Sequence, residues 1–123
     1  MIHLDTNFLI DAIESGSVAH GRFHTWAQAG ESFGISTVAW AEFLCGPLDA
    51  VAEQLARQIC PHTESLTIAA AELAAVLFNK TGRRSRSLAD CMIAATAIRS
   101  GAALATLNTS DFAPFIPHGL RLA

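Results

Sequence analysis

Four acids stand where side-chain chemistry could be concentrated. Asp5 ends the short apolar run Met1-Ile2-His3-Leu4 and is followed at once by Thr6 and Asn7. Glu42 has Val38, Ala39, Cys45 and Gly46 as its neighbours at helical spacing, all apolar or small. Asp90 precedes Ile93 and Ala94, which place it on an inward-looking helix face, and Asp111 closes the polar cluster Thr106-Leu107-Asn108-Thr109-Ser110-Asp111. Carboxylates gathered in one place repel, and the repulsion is relieved by raised pKa values or by a bound cation. Ligands that are all oxygen suit the hard ions Mg²⁺ and Mn²⁺.

Each acid also has a plain structural reading. Asp5-Thr6-Asn7 can be a helix cap, with Thr6 or Asn7 capping the helix that begins at Phe8. Glu42 can belong to a salt bridge that offsets its burial. Ser87-Leu88-Ala89-Asp90 resembles a capping box, and the cluster around Asp111 can be a turn. Asp11, Glu14, Asp49, Glu53, Glu64 and Glu72 read as acids of solvated faces.

The elements that would position the four acids alternate. A strand ending at Leu4 is followed by helices over 8–13 and 18–29, with Ser15-Gly16-Ser17 and Gly30 as stops. Phe33-Gly34-Ile35 is a second strand, and a helix capped by Ser36-Thr37 runs to Gly46-Pro47. A helix over 48–59 carries Val51, Leu55 and Ile59 at intervals of four, and 62–66 forms a weak edge strand. Thr67 opens the Ala-rich helix over 68–77, Ser87 opens another that reaches Ser100, and 103–106 is a strand. A turn or short helix over 109–112 and a last strand at Phe115-Ile116 complete the chain. Short apolar strands separated by helices predict an α/β domain of three layers, α/β/α, around a central parallel sheet of about five strands. Right-handed crossovers bring the strand ends that precede helices to one edge, where Asp5 and Asn108 lie.

Composition limits the alternatives. The 123 residues suit a single domain over 1–123. No apolar run approaches the roughly 18 residues of a membrane span, and the start lacks the features of a signal peptide. Cys45, Cys60 and Cys91 are widely spaced without a CxxC, as expected of thiols in a reducing cytoplasm. His3, His20, His24, His62 and His118 show no zinc spacing, and Cys60 beside His62 lacks a third orienting group. There is no Gly-rich phosphate loop. A net charge of −3 argues against broad coating of nucleic acid, yet Lys80, Arg83, Arg84 and Arg86 hold four of the eight basic residues within seven positions. That stretch is either a solvated loop or the approach to Asp90.

Four segments together carry a resemblance. Leu4 to Ile10, Ile35 to Phe43, Leu88 to Ala97 and Leu104 to Phe112 look like the successive motifs of a PIN-domain ribonuclease. Length and motif order are similar to the VapC toxins of bacterial toxin–antitoxin pairs. Asp5, Glu42, Asp90 and Asp111 match the acidic positions, and Thr6, Asn7, Thr106 and Asn108 match accessory polar ones. Trp40 departs from the pattern, in which a small polar residue is expected two before the Glu.

The resemblance implies a Mg²⁺- or Mn²⁺-dependent endoribonuclease acting on single-stranded RNA, the toxin of such a module. A bound ion would lower the pKa of water for in-line attack on phosphorus, leaving a 5′-phosphate and a 3′-hydroxyl. Asp5 and Asp90 would be the main ligands, Glu42 and Asp111 would bind directly or through water, and Thr6, Asn7, Thr106 and Asn108 would orient them. Lys80, Arg83, Arg84 and Arg86 would bind RNA. An antitoxin and a homodimer are the implied partners, with the helices over 8–13 and 48–59 as candidate surfaces.

Three other readings compete. A haloacid-dehalogenase-like phosphatase needs a second Asp two residues after the first, and Asn7 stands there. A phospho-receiver domain needs a late-strand Lys, and the only Lys is Lys80. A non-catalytic PIN-like domain that only binds a partner would not need the full acid set.

Overall fold

A computed structural model describes residues 1–47, 49–83 and 88–123. The expected start of a helix at Leu48, the capping residue Ser87 and the basic residues Arg84 and Arg86 lie outside the described residues. Strand β1 (Ile2–Leu4) leads into α1 (Thr6–Ile13) and α2 (Val18–Gln28), and β2 (Phe33–Ser36) leads into α3 (Thr37–Cys45) and α4 (Ala50–Ile59). Strand β3 (His62–Glu64) precedes α5 (Ile68–Lys80) and α6 (Leu88–Ser100), and β4 (Ala103–Ala105) precedes the short α7 (Thr109–Phe112).

The four strands form one parallel sheet in the order β3-β2-β1-β4. Two crossovers carry the chain outward from β1 to β2 to β3, and the third returns it to the other side of β1. The order therefore reverses between β1 and β4, which is where open α/β sheets leave a crevice at their carboxyl ends. Asp5 and Thr106 each follow the last residue of a strand flanking that crevice.

Local chemistry explains the helix starts. Ser36 Oγ accepts from the Ala39 amide at 3.0 Å, and Thr67 Oγ1 accepts from the Ala70 amide at 3.1 Å. Asp49, read from sequence as a solvated acid, caps α4 by accepting from the Ala52 amide at 2.7 Å. The cap of α1 is neither Thr6 nor Asn7 but Asp5 itself, which holds the extended backbone that precedes the first turn.

Helix α6 is the buried centre of one layer, with Cys91, Ile93, Ala94, Ala95, Thr96 and Ala97 all in the interior. Ala70, Ala74 and Leu77 of α5 are buried, and α5 packs on α6. The largest enclosed side chains include Phe8, Phe112, Phe115, Leu4, Ile35 and Leu104.

One expectation from patterning is overturned. The strand at Phe115-Ile116 is a 3₁₀ helix over Ala113–His118, so the sheet has four strands among the described residues. Pro114 and Pro117 have no N–H to give a sheet ladder and fix φ near helical values, and the turn closes at Gly119 with φ 109°. The chain meets β4 only afterwards, through a lone bridge of Leu122 with Leu104. On α4, named from sequence as a candidate partner surface, Val51 is 65% exposed and Leu55 38%, whereas Ile59 is partly buried against the core and Ala56 is fully buried.

Candidate active site

The crevice between β1 and β4 is organised by hydroxyls. Asp5 is buried at 5% exposure, and both its carboxylate oxygens are engaged. Oδ1 accepts from the Thr6 amide at 2.9 Å, and Oδ2 accepts from Thr106 Oγ1 at 2.8 Å. Thr106 Oγ1 in turn accepts from the Asn108 amide at 3.0 Å, so the loop after β4 is fastened to the end of β1. Each carboxylate oxygen retains a further lone pair for another partner.

Thr6 performs the same service on the other side. Its Oγ1 proton is shared between Glu42 Oε1 at 3.0 Å and the Ala39 carbonyl at 3.2 Å. Glu42 is exposed, contrary to the burial its apolar neighbours suggest. Ala39 and Phe43 turn into the core, and Glu42, between them in sequence, projects past the edge of that face toward α1.

Asp90 lies half-buried in the first turn of α6, with Ile93 and Ala94 buried below it. Its carboxyl is raised to about 6, first by burial and then by the charges of Asp5, Glu42 and Asp111. Asp5 is raised as well, chiefly by burial, against the lowering effect of its bonds to Thr106 and Thr6, with a further upward push from Asp111. Asp90 therefore lies within electrostatic reach of Asp5, Glu42 and Asp111, and Asp5 within reach of Asp111. Asp111 is exposed in α7, and its amide donates to the Asn108 carbonyl at 3.0 Å. Asn7 is exposed, and Asn108 is half-buried at the start of α7 without a side-chain cap.

As placed, no three His, Cys, Asp or Glu side chains among the described residues are closed into a coordination shell. The acids form an open cluster whose donors are all oxygen, and burial together with the like charges facing it raises the Asp90 carboxyl. That donor set fits a hard divalent ion.

The basic stretch is described only in part. Lys80 ends α5 and is exposed, and Arg83 is exposed in the left-handed region at φ 57°. Cys60 beside His62 is not a nucleophile pair: burial pushes its thiol up to about 12, and His62 is exposed.

Two features had no sequence signal. His3 is buried at 2% exposure with neither ring nitrogen hydrogen-bonded, on a strand whose composition reads as ordinary. Trp40 stacks on Phe43 with ring centroids 5.3 Å apart, and the Arg57 guanidinium lies 5.0 Å from its ring centre. The indole that departs from the family pattern thus joins α4 to α3.

The sequence model for the PIN domain matches residues 2–113. The chain belongs to the PIN-domain family. Solved structures share its fold, among them VapBC2 from Rickettsia felis bound to a promoter DNA fragment. That likeness has a TM-score of 0.75 at 18% identity, over 100% of this PIN domain and 98% of the other chain. A toxin–antitoxin complex from Klebsiella pneumoniae matches at 29% identity and TM-score 0.68, over 92% and 91% of the two chains. Mycobacterium tuberculosis VapC20, described as a sarcin-ricin loop cleaving toxin, matches at 19% identity and TM-score 0.66, over 92% and 94%. A search of curated proteins by sequence returns no match. No described helix is long and apolar enough to cross a membrane.

Proposed function

We propose that this PIN domain is a metal-dependent endoribonuclease acting on single-stranded RNA in the cytoplasm, and that it is the toxin of a toxin–antitoxin pair. The observation that carries the reading is that Asp5, held by Thr106, and Glu42, held by Thr6, stand where strand order reverses, with Asp90 close enough to feel the charges of Asp5, Glu42 and Asp111. The family membership and the toxins among its structural relatives support it.

Asp5 and Asp90 would hold the ion, Mg²⁺ or Mn²⁺, with Glu42 and Asp111 binding directly or through water. A divalent ion there supplies Lewis acidity toward water and phosphate oxygens. The protein's part is to keep the ligands aimed. Thr106 holds one oxygen of Asp5 in place, and the Thr6 amide holds the other. Thr6 Oγ1 steadies Glu42, and the Asn108 amide keeps Thr106 from turning away. Lys80, Arg83, Arg84 and Arg86 supply the attraction for RNA that an acidic crevice lacks.

A cognate antitoxin and a second copy of the chain complete the reading. Ile10 of α1 and Val51 and Leu55 of α4 are exposed apolar residues. Beside Ile10 lies a groove of about 240 Å³ lined also by Ile13, Phe43, Pro47 and Ala52. Surfaces of this kind are suited to a partner.

The deciding experiment incubates single-stranded RNA with the chain in Mg²⁺ or Mn²⁺, with and without EDTA. Asp5→Asn and Asp90→Asn should fold normally and lose at least about a hundredfold in cleavage. Cleavage that persists in EDTA, or in both variants, would refute the mechanism and leave a partner-binding PIN domain.

A further inference from the structure

Helix α2 carries two histidines one turn apart, His20 and His24, on the same face of the helix. Their rings are 4.4 Å apart between centroids and inclined at 66°. His20 is half-buried and His24 is exposed. Nδ1 of His20 lies 2.9 Å from the carbonyl oxygen of Ala12 on α1. A carbonyl can only accept, so Nδ1 carries the proton, and Nε2 of the neutral ring keeps its lone pair.

A backbone carbonyl on one ring nitrogen is what fixes the tautomer of a metal-binding histidine and raises the basicity of the other nitrogen. The backbone under His20 is anchored as well, since its amide donates to the capping oxygen of Ser17 at 3.0 Å. His24 packs edge-on against Phe23 at 5.5 Å but is open to solvent, so its ring can turn a nitrogen toward its neighbour.

We infer that His20 and His24 form a two-ligand site on α2 for an imidazole-preferring transition ion such as Ni²⁺, Cu²⁺ or Zn²⁺. Two histidines at this spacing lie side by side on a helix and can clasp one ion. Among the described residues no third His, Cys, Asp or Glu joins them, so water fills the remaining positions. That is why the sequence shows no four-ligand zinc pattern here. The site differs in kind from the acidic crevice: imidazole selects Ni²⁺, Cu²⁺ and Zn²⁺, whereas carboxylates suit Mg²⁺ and Mn²⁺. An ion bridging one turn of α2 also ties together a helix whose fully buried residue is Ala19 alone.

The test is a calorimetric titration of the full untagged chain with Ni²⁺, in excess Mg²⁺ so that the acids are occupied. A single Ni²⁺ should bind per chain, and His20→Gln or His24→Gln should each weaken it by about tenfold or more, because the second ligand no longer binds intramolecularly. Asp5→Asn, His62→Gln and His118→Gln should leave the affinity unchanged. Gln28→His in the His20→Gln background moves the pair one turn along the helix and should restore binding. Ni²⁺ should also raise the melting temperature of the wild type and not of His24→Gln. Equal Ni²⁺ affinity in the wild type and both Gln variants overturns the inference, as does loss of binding in Asp5→Asn.

Discussion

Thr106 Oγ1 donates to Oδ2 of Asp5 across 2.8 Å, although the two residues are 101 positions apart in sequence. The bond joins the ends of β1 and β4, the adjacent parallel strands between which the strand order reverses. It fixes the orientation of a carboxylate that both caps α1 and faces the crevice. Burial disfavours the charge on Asp5, and this bond is the largest influence favouring it.

Removing the hydroxyl should separate position from packing. Thr106→Val keeps the branched shape in a buried spot but leaves Asp5 Oδ2 and the Asn108 amide without their partner. Metal-dependent cleavage and Mn²⁺ affinity should fall about 10- to 100-fold, as when a group that orients a metal ligand is lost. Stability should fall by about 1–3 kcal/mol. Thr106→Ser should restore most of the cleavage. A Val variant with wild-type Mn²⁺ affinity would mean that Asp5 needs no such support.

RNA binding should depend on the basic stretch through charge alone. Each phosphate contact removed from a single strand lowers the salt slope of binding by about 0.7. Replacing Lys80 and Arg83 by Ala, and then Arg84 and Arg86, should lower the slope stepwise and weaken binding most at low salt. Turnover at saturating RNA should hardly change, because the contacts are equal in ground and transition states. An unaltered slope in the fourfold variant would make the stretch a solvated loop.

Much of the fold was legible because local chemistry and burial agree. The caps Ser36 and Thr67 announce α3 and α5, and Phe33 to Ile35 is a buried strand as its apolar character implies. The last segment was misread because Phe115 and Ile116 favour a strand while Pro114 and Pro117 forbid its ladder. Counting neighbours three and four positions away made Glu42 look buried. On a helix the angle decides, and the core face ends at Ala39 and Phe43. The four acids could be named as a group through the order of their four motifs and not through burial, since Glu42 and Asp111 are exposed. The threonine bonds that link Asp5 to β4 and Glu42 to α1 depend on side-chain directions that no spacing encodes. His3 was silent for a different reason: a strand pattern records which positions are inside, not which of them lack a partner.

That lack makes His3 a site of latent instability. The ring lies against Gly34, where an added Cβ would come within 3.3 Å of it, and neither nitrogen has a hydrogen-bond partner. Exchanging an unsatisfied polar ring for an apolar side chain should therefore stabilise the fold. His3→Leu should raise stability by about 1 kcal/mol, seen as a higher urea midpoint at unchanged slope. A lower midpoint would indicate that buried water satisfies the ring.

The last prediction concerns Asp90 and the pH dependence of the metal-free chain. Its folded carboxyl titrates near 6, whereas its ordinary value is 3.8. Between these values the folded chain holds a proton that the unfolded chain has released. The contribution to stability is therefore full below about 4 and lost as pH rises through about 6. In EDTA the melting temperature should carry this downward trend between pH 4 and neutrality, and Asp90→Asn should flatten it by removing the charge that Asp5, Glu42 and Asp111 oppose. At neutral pH the Asn variant should consequently melt higher than the wild type. Mn²⁺ should reverse the order, because an ion held by the ionised acids stabilises only the chain that can bind it. Melting curves at several pH values, with and without Mn²⁺, measure both effects. If the wild-type and Asn curves run parallel in EDTA, the acids do not oppose one another in the folded chain.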